Sequence, residues 1–207
     1  WHDTKRGVVS PAVFVPVAER HGLIVDIGRW VIEEACRQAV RLRTQFPDRP
    51  PLAVTVNVSA RQLDDPHLAD RVQAALASTG LDASVLCLEI TESALMTDPG
   101  RSAARLGALR ASGIKLAADD FGTGYSSLAY LKALPLDMIK IDQSFVTGLP
   151  ANFEDVAITR AIMAMSDALG LAVTAEGVET EAQLGALLEL GTGYGQGFLW
   201  GRAVAAS

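Results

Sequence analysis

Short apolar, β-branched runs alternate with longer amphipathic ones along most of the chain, and this alternation constrains the fold more than any other feature. The period-2 and continuous apolar runs predict strands over 52–58, 85–90, 114–118, 138–141, 171–175 and 194–199. Between them the helical spacing predicts helices over 66–78, 99–111, 126–133, 155–169 and 181–190. A longer helix is expected over 26–46, with Ile27, Val31, Ala35, Val40 and Leu42 on its apolar stripe. Pro66 and Pro99 fall near first helical positions, and Thr180 with Gln183 has capping-box spacing. Gly80, Gly113, Gly170 and Gly191 follow helical runs, where a left-handed residue ends a helix.

Apolar strands separated by helices imply a parallel sheet, either doubly wound or closed into a barrel. Six strands fall short of the eight in a TIM-type barrel. The barrel is still the better fit, because nearly every strand ends in a polar residue and the chain opens abruptly at Trp1, as though earlier strands preceded it. The expected fold is therefore α/β, a TIM-type (β/α) barrel truncated at its N-terminus and missing its first strands. The 207 residues, 49% hydrophobic and 20% charged, suit one domain over 1–207, incomplete at that end.

No apolar run reaches the length of about 18 residues that a bilayer span needs. The net charge of −6 disfavours an extended DNA- or RNA-binding surface. Cys36 and Cys87 stand apart without ligand or redox spacing, which favours a reducing, cytoplasmic setting. His2, His21 and His67 are scattered and read as surface or capping residues, Met163 and Met165 as core fillers, and Arg37, Arg41 and Arg43 as a solvated helix face.

The chemistry gathers at the strand ends. Asn57, Glu89, Asp119 with Asp120, Lys140 with Asp142, Glu176 and Gln196 lie at or just past successive C-terminal ends, and in a parallel barrel these ends share one rim. The donors are oxygens with neither His nor Cys among them, a set that suits Mg²⁺ or Mn²⁺ rather than Zn²⁺. Two carboxylates about 4 Å apart repel by roughly 4 kcal/mol at an effective dielectric near 20, so the adjacent Asp119 and Asp120 call for a compensating cation or a shared proton. Paired divalent ions serve phosphodiester hydrolysis, and Lys140 is placed to orient a water or neutralise developing charge. Taken singly, each of these residues also has a structural reading, as an Asx-turn aspartate, a snorkelling lysine or a capping asparagine.

The segments VNVSARQL (56–63), LEITES (88–93), DDFGTGYSSL (119–128), IKID (139–142), AEGVE (175–179) and YGQGF (194–198) resemble, in order and spacing, the signatures of EAL domains, phosphodiesterases that linearise cyclic di-GMP to pGpG in bacterial signalling. The resemblance covers essentially the whole chain. It implies Asn57, Glu89 and Asp119 as ligands of a first ion, Asp119 and Asp120 as the pair reaching a second, and Glu176 on the second-metal side. Lys140 corresponds to the lysine beside the catalytic water, Gln196 to a glutamine near the reacting phosphate, and Glu179 to a further site glutamate. Glu92 corresponds to the anchor of the loop after the aspartate pair, and Asp142 to a supporting residue. Two Mg²⁺ or Mn²⁺ ions, a homodimer communicating through the loop over 121–127, and regulatory domains in the parent protein are implied in the same way. The Glu-Ala-Leu tripeptide and the arginine two residues after it, a metal ligand and a phosphate contact in the family, would precede the tryptophan corresponding to Trp1.

Two other readings compete. One is a catalytically inactive EAL-like domain serving as a cyclic di-GMP receptor or protein-interaction module. The other is an enolase-like proton-abstracting barrel, which also combines strand-end carboxylates, a metal and a lysine but fits the adjacent aspartates poorly.

Overall fold

The computed structural model describes residues 1–50, 52–124 and 128–204. At the N-terminus an antiparallel pair, β1 (His2–Asp3) and β2 (Gly7–Val8), leads into helix α1 (Pro11–Arg20), against which Trp1 packs edge-on through Phe14 at 6.0 Å between ring centroids. The long helix α2 (Ile24–Gln45) follows. The chain then runs through β3 (Val54–Asn57), α3 (Ala60–Leu63), α4 (Leu68–Thr79), β4 (Leu86–Thr91), α5 (Glu92–Thr97) and α6 (Pro99–Arg110). It continues as β5 (Lys115–Phe121), α7 (Leu128–Ala133), β6 (Met138–Ile141), α8 (Gln143–Thr147), α9 (Phe153–Leu169), β7 (Ala172–Ala175), α10 (Glu181–Glu189) and β8 (Tyr194–Gly195).

Strands β3 to β8 form one parallel sheet in sequential order, curled into a half-barrel. The α/β TIM-type reading is borne out in this curled succession.

The register explains why each strand carries two kinds of residue. Val56, Leu88, Ile90, Leu116, Ala118, Ile139, Ile141, Val173 and Ala175 project to one face and join the main hydrophobic core beneath the helices. The alternate positions, Asn57, Glu89, Asp119, Lys140 and Thr174, share the opposite, concave face, because side chains alternate along a strand and parallel neighbours in register point the same way. Burial of the apolar face at about 25 cal/mol per Å² supplies the main driving force for closing helices onto the sheet, and leaves the other face free for chemistry.

Most boundaries fall within a few residues of expectation, and the departures have local causes. Pro66 does not open a helix: the His67 N–H donates to Asp65 Oδ1 at 3.1 Å, closing an Asx turn, and α4 begins only at Leu68. Strand β5 extends to Phe121, three residues beyond the predicted end, through a bulge between Ala118 and Phe121. Only Tyr194 and Gly195 of the predicted strand over 194–199 pair as β8, because the chain then turns to let Val178 N–H donate to Gln196 O and Leu199 N–H to Val178 O. At Gly197 that turn leaves no room for a Cβ against the Val178 backbone. Pro99 does sit in the first turn of α6, and Thr180 with Gln183 forms the expected capping box. Gly80, Gly113, Gly170 and Gly191 all have positive φ. The predicted start of α7 at 126 lies outside the described residues.

Four short helices escaped the periodicity. Helix α1 has Ser10 as N-cap and Pro11 at its start but carries Pro16 inside; α3, α5 and α8 are capped by Ser59, Thr91 and Asp142 and are too short to show a 3.6-residue pattern. Met163 and Met165 pack against the core, as expected. No helix among the described residues is long and apolar enough to cross a membrane.

Candidate active site

The centre of the concave face is a buried lysine surrounded by acids. Lys140 Nζ lies 2.9 Å from Glu89 Oε2 on β4, 3.1 Å from Asp119 Oδ1 on β5 and 2.5 Å from Glu176 Oε1 just past β7. Lys140, Glu89 and Asp119 are all less than a tenth exposed. Burial by itself would push the ammonium toward its neutral form; hydrogen bonds to Glu176 and Glu89, with the charges of Glu89 and Asp119, outweigh it and raise the Lys140 pKa. The lysine is therefore a fixed positive charge.

Asp119 and Asp120 pose a geometric problem, since consecutive residues of a regular strand point to opposite faces. The chain resolves it with the β5 bulge and a left-handed backbone at Asp120, φ 53°, the one positive φ outside glycine among the described residues. The outcome is that carboxylate oxygens of Asp119, Asp120 and Glu176 all lie within 4.8 Å of one another. Burial, then the charges of Asp119 and Asp142, push the Asp120 carboxyl up despite Lys140. Glu176 is likewise raised, first by burial and then by Asp119 and Glu89, against the hydrogen bond and charge of Lys140.

This arrangement fits divalent cations. Four carboxylates, Glu89, Asp119, Asp120 and Glu176, meet a single ammonium, leaving an excess of negative charge. Asp119 Oδ1 is buried and, although it lies 3.1 Å from Lys140 Nζ, accepts no hydrogen bond. The ammonium near it is shared with Glu89 and Glu176, so a further cation at this buried oxygen would lower the cost of its burial. The all-oxygen donor set matches hard ions such as Mg²⁺.

The remaining candidates stand at graded distances from this centre. Asn57 pairs in register with Glu89 on the same face, but on the sheet's edge strand, where it is exposed and lines a separate cleft of about 740 Å³ with residues of α1 and α2. Gln196 and Glu179 line a smaller cleft of about 220 Å³ that includes Glu176. Glu92 is buried beneath the loop after Asp120, and its Oε2 accepts the Gly122 N–H at 2.8 Å. Asp142 caps α8 by accepting from the Ser144 N–H at 2.9 Å, a structural role, while its charge bears on Asp120. Tyr125, Ser126 and Ser127 of the expected loop lie outside the described residues.

Residue-by-residue reading of the sequence did not single out Gln143 and Phe198, which line the smaller cleft. Both were within reach, since Gln143 directly follows IKID and Phe198 closes YGQGF. Cys36 and Cys87 are free and buried; burial, followed by the Glu89 charge, pushes the Cys87 thiol up to about 12, which makes it a poor nucleophile or ligand.

The EAL domain family model matches residues 1–203. The chain is 46% identical over 206 residues to the bifunctional diguanylate cyclase/cyclic di-GMP phosphodiesterase MucR of Pseudomonas aeruginosa, an alignment that takes in 100% of this chain and 30% of MucR. It is 44% identical over 202 residues to the cyclic di-GMP phosphodiesterase NbdA of the same organism, covering 98% of this chain and 26% of NbdA. The chain thus spans 30% and 26% of the length of these two curated relatives. Among solved structures, the PaMucR phosphodiesterase in complex with cyclic di-GMP superposes with a TM-score of 0.91 at 45% identity, covering 98% of this chain and 81% of that one. The FimX EAL domain from Pseudomonas aeruginosa bound to cyclic di-GMP gives a TM-score of 0.89 at 26% identity, covering 100% of this chain and 82% of that one. By sequence and by fold, the chain belongs to the EAL domain family.

Proposed function

We propose that this domain hydrolyses cyclic di-GMP to linear pGpG with the help of two divalent ions, Mg²⁺ or Mn²⁺. The observation that carries the reading is the convergence of Glu89, Asp119, Asp120 and Glu176 around Lys140 on the concave face. The names of the relatives MucR and NbdA support it.

In this reading Glu89, Asp119, Asp120 and Glu176, with Asn57 from the edge strand, would contribute oxygen ligands to the ions. Divalent ions held there would lower the pKa of a bound water and offset charge on the departing oxygen. Lys140, held charged by its acidic neighbours, presents a fixed positive charge toward the attacked phosphate. Gln196, at the end of β8, offers an amide donor to a phosphate oxygen. Glu92 fixes the loop after Asp120 by holding the Gly122 N–H, which keeps the strained aspartate in place.

A homodimer that communicates through that loop, and regulatory domains elsewhere in the parent protein, extend the same proposal. So does a cytoplasmic setting, supported by the two free thiols. The decisive experiment is incubation of the full protein with cyclic di-GMP and Mg²⁺ or Mn²⁺, followed by chromatography for pGpG. Linear product that disappears with EDTA and in the Asp119→Asn variant is expected. Tight nucleotide binding without product would assign the domain to the receptors instead.

A further inference from the structure

The acids around Lys140 are not held in place by the same means. Glu89 and Asp119 lie within β4 and β5, where the ladder hydrogen bonds of the sheet fix their backbone. Glu176 lies just past the end of β7, and its side chain, 20% exposed, is the least buried of the three acids on Lys140. Its carboxylate also comes within 4.8 Å of those of Asp119 and Asp120, and like charges at that range push it outward. The segment that carries Glu176 therefore needs an anchor beyond the sheet.

That segment, 176–180, is laid along α8 and fastened at both ends. At the near end the Glu176 N–H donates to Ile141 O at 3.1 Å. Gly177, with φ 67°, then sits so close to the start of α8 that a Cβ there would fall 2.5 Å from Gln143 Cβ. At the far end stands Gln183, a buried amide in the first turn of α10. Its Oε1 accepts the Glu179 N–H at 2.8 Å and the Thr180 N–H at 2.9 Å, and its Nε2 donates across to Thr147 O, the last residue of α8, in a long hydrogen bond of 3.4 Å. Gln143 and Thr147 are one helical turn apart, so Gly177 and Gln183 grip opposite ends of the same short helix. Helix α8 in turn springs from the strand of Lys140 through its N-cap, Asp142. A closed ring of short links thus surrounds the ion pair of Lys140 and Glu176.

A capping box needs the glutamine only to accept the N-cap N–H, as Gln62 Oε1 does for Ser59 at 3.2 Å in α3. The contacts of Gln183 with Glu179 and with Thr147 exceed that need. We propose that Gln183 is a positioning residue for the reaction: by tying the 176–180 loop to α8 it sets how far Glu176 reaches toward Lys140 and toward a divalent ion held with Asp119 and Asp120. This rests on the reading of the carboxylate cluster as a metal-dependent phosphodiester site. With the amide gone, Gly177, unrestrained by a Cβ, is the pivot on which the repelled Glu176 swings outward.

The test uses the full protein and Mn²⁺ alone as the first probe, titrated calorimetrically into metal-free samples. Gln183→Ala should weaken Mn²⁺ binding roughly tenfold, the effect usual when a group that orients a metal ligand is lost. Thr180→Ala is the control. It removes the hydroxyl that accepts the Gln183 N–H at 3.2 Å and so weakens the cap of α10, while the Gln183 side chain keeps its hold on the loop and on α8. It should lower the melting temperature and leave Mn²⁺ affinity within about twofold of wild type, a difference that a merely structural glutamine would not produce. Gln183→Asn, one methylene too short to span from loop to helix, should match Gln183→Ala and replaces it if the alanine variant does not fold. In steady-state hydrolysis of cyclic di-GMP at limiting Mn²⁺, Gln183→Ala should lower kcat roughly tenfold with far less change in KM, and added Mn²⁺ should recover part of the rate.

Equal Mn²⁺ affinity in the wild type and the Gln183 variants, or the same loss in Thr180→Ala as in Gln183→Ala, would overturn the role of Gln183 and leave the enzymatic reading standing. If the wild type binds Mn²⁺ without hydrolysing cyclic di-GMP, weaker Mn²⁺ binding confined to the Gln183 variants supports the positioning role although that reading has failed. A wild type that binds no Mn²⁺ overturns both.

Discussion

Lys140 Nζ stands 2.5 Å from Glu176 Oε1, closer than to Glu89 or Asp119, so the sheet's central buried cation is tied across β6 and β7 as well as back to β4 and β5. A charge so placed holds the acids together when no other cation does. We expect Lys140→Met to cost roughly 3–5 kcal/mol in metal-free protein, the usual penalty for leaving buried partners uncompensated. Urea unfolding in EDTA measures it. Saturating Mg²⁺ should return a large part of the loss while activity stays low.

Asp119→Asn should reduce hydrolysis of cyclic di-GMP at least about a hundredfold. It should also abolish the rise in melting temperature that Mg²⁺ or Mn²⁺ produces in the wild type, because ligand binding to the native state is what raises it. A variant that keeps the metal-dependent shift would remove Asp119 from the coordination set.

The raised carboxyls of Asp120 and Glu176 give the metal-free protein a defined pH response. Their ordinary values are 3.8 and 4.5. Above those values the folded state holds protons that the unfolded chain has released, so the contribution of this pair to stability falls as pH rises until both groups ionise. Lys140, whose pKa is raised, stays charged throughout that window. Denaturation curves of wild type and of an Asp120→Asn, Glu176→Gln double variant in EDTA should therefore diverge with rising pH, the variant becoming relatively more stable. Mg²⁺ should narrow the gap by stabilising the ionised wild type.

Gly122 has φ 101°, and a Cβ there would fall 2.7 Å from Phe145 Cε2 while its N–H is held by Glu92. Gly122→Ala should destabilise by roughly 1–3 kcal/mol, from the disfavoured backbone and the crowding together. Glu92→Ala should cost roughly 1–3 kcal/mol as well, by leaving a partly buried N–H without its acceptor. Chemical denaturation checks both, and parallel rate measurements should show each variant losing activity through displacement of Asp120.

The succession of strands was legible because burial of one strand face by helices imposes a regular apolar signal, and the acids were legible because they recur at strand ends. What the sequence concealed came from tertiary structure. Nothing in DDFG announces that Asp120 adopts a left-handed backbone, since an aspartate enters that region only where surrounding contacts hold it there. The shortness of β8 follows from the close approach of Gly197 to the Val178 backbone, a relationship between segments far apart in local pattern though only 19 residues apart in the chain. Phe198 and Arg202, whose guanidinium stacks over the Phe198 ring, have helical spacing but lie outside any helix, so periodicity could not pair them.

The alternation that puts Leu88 among the helices and Glu89 on the concave side also acts as a proofreader. Sliding β4 by one residue against its neighbours would exchange the two, driving an acid into hydrocarbon and stranding Lys140 beside a leucine. A misaligned chain is thus penalised by the very side chains gathered at the proposed site, and a strand threaded correctly enough to fold has already brought its acid beside Lys140.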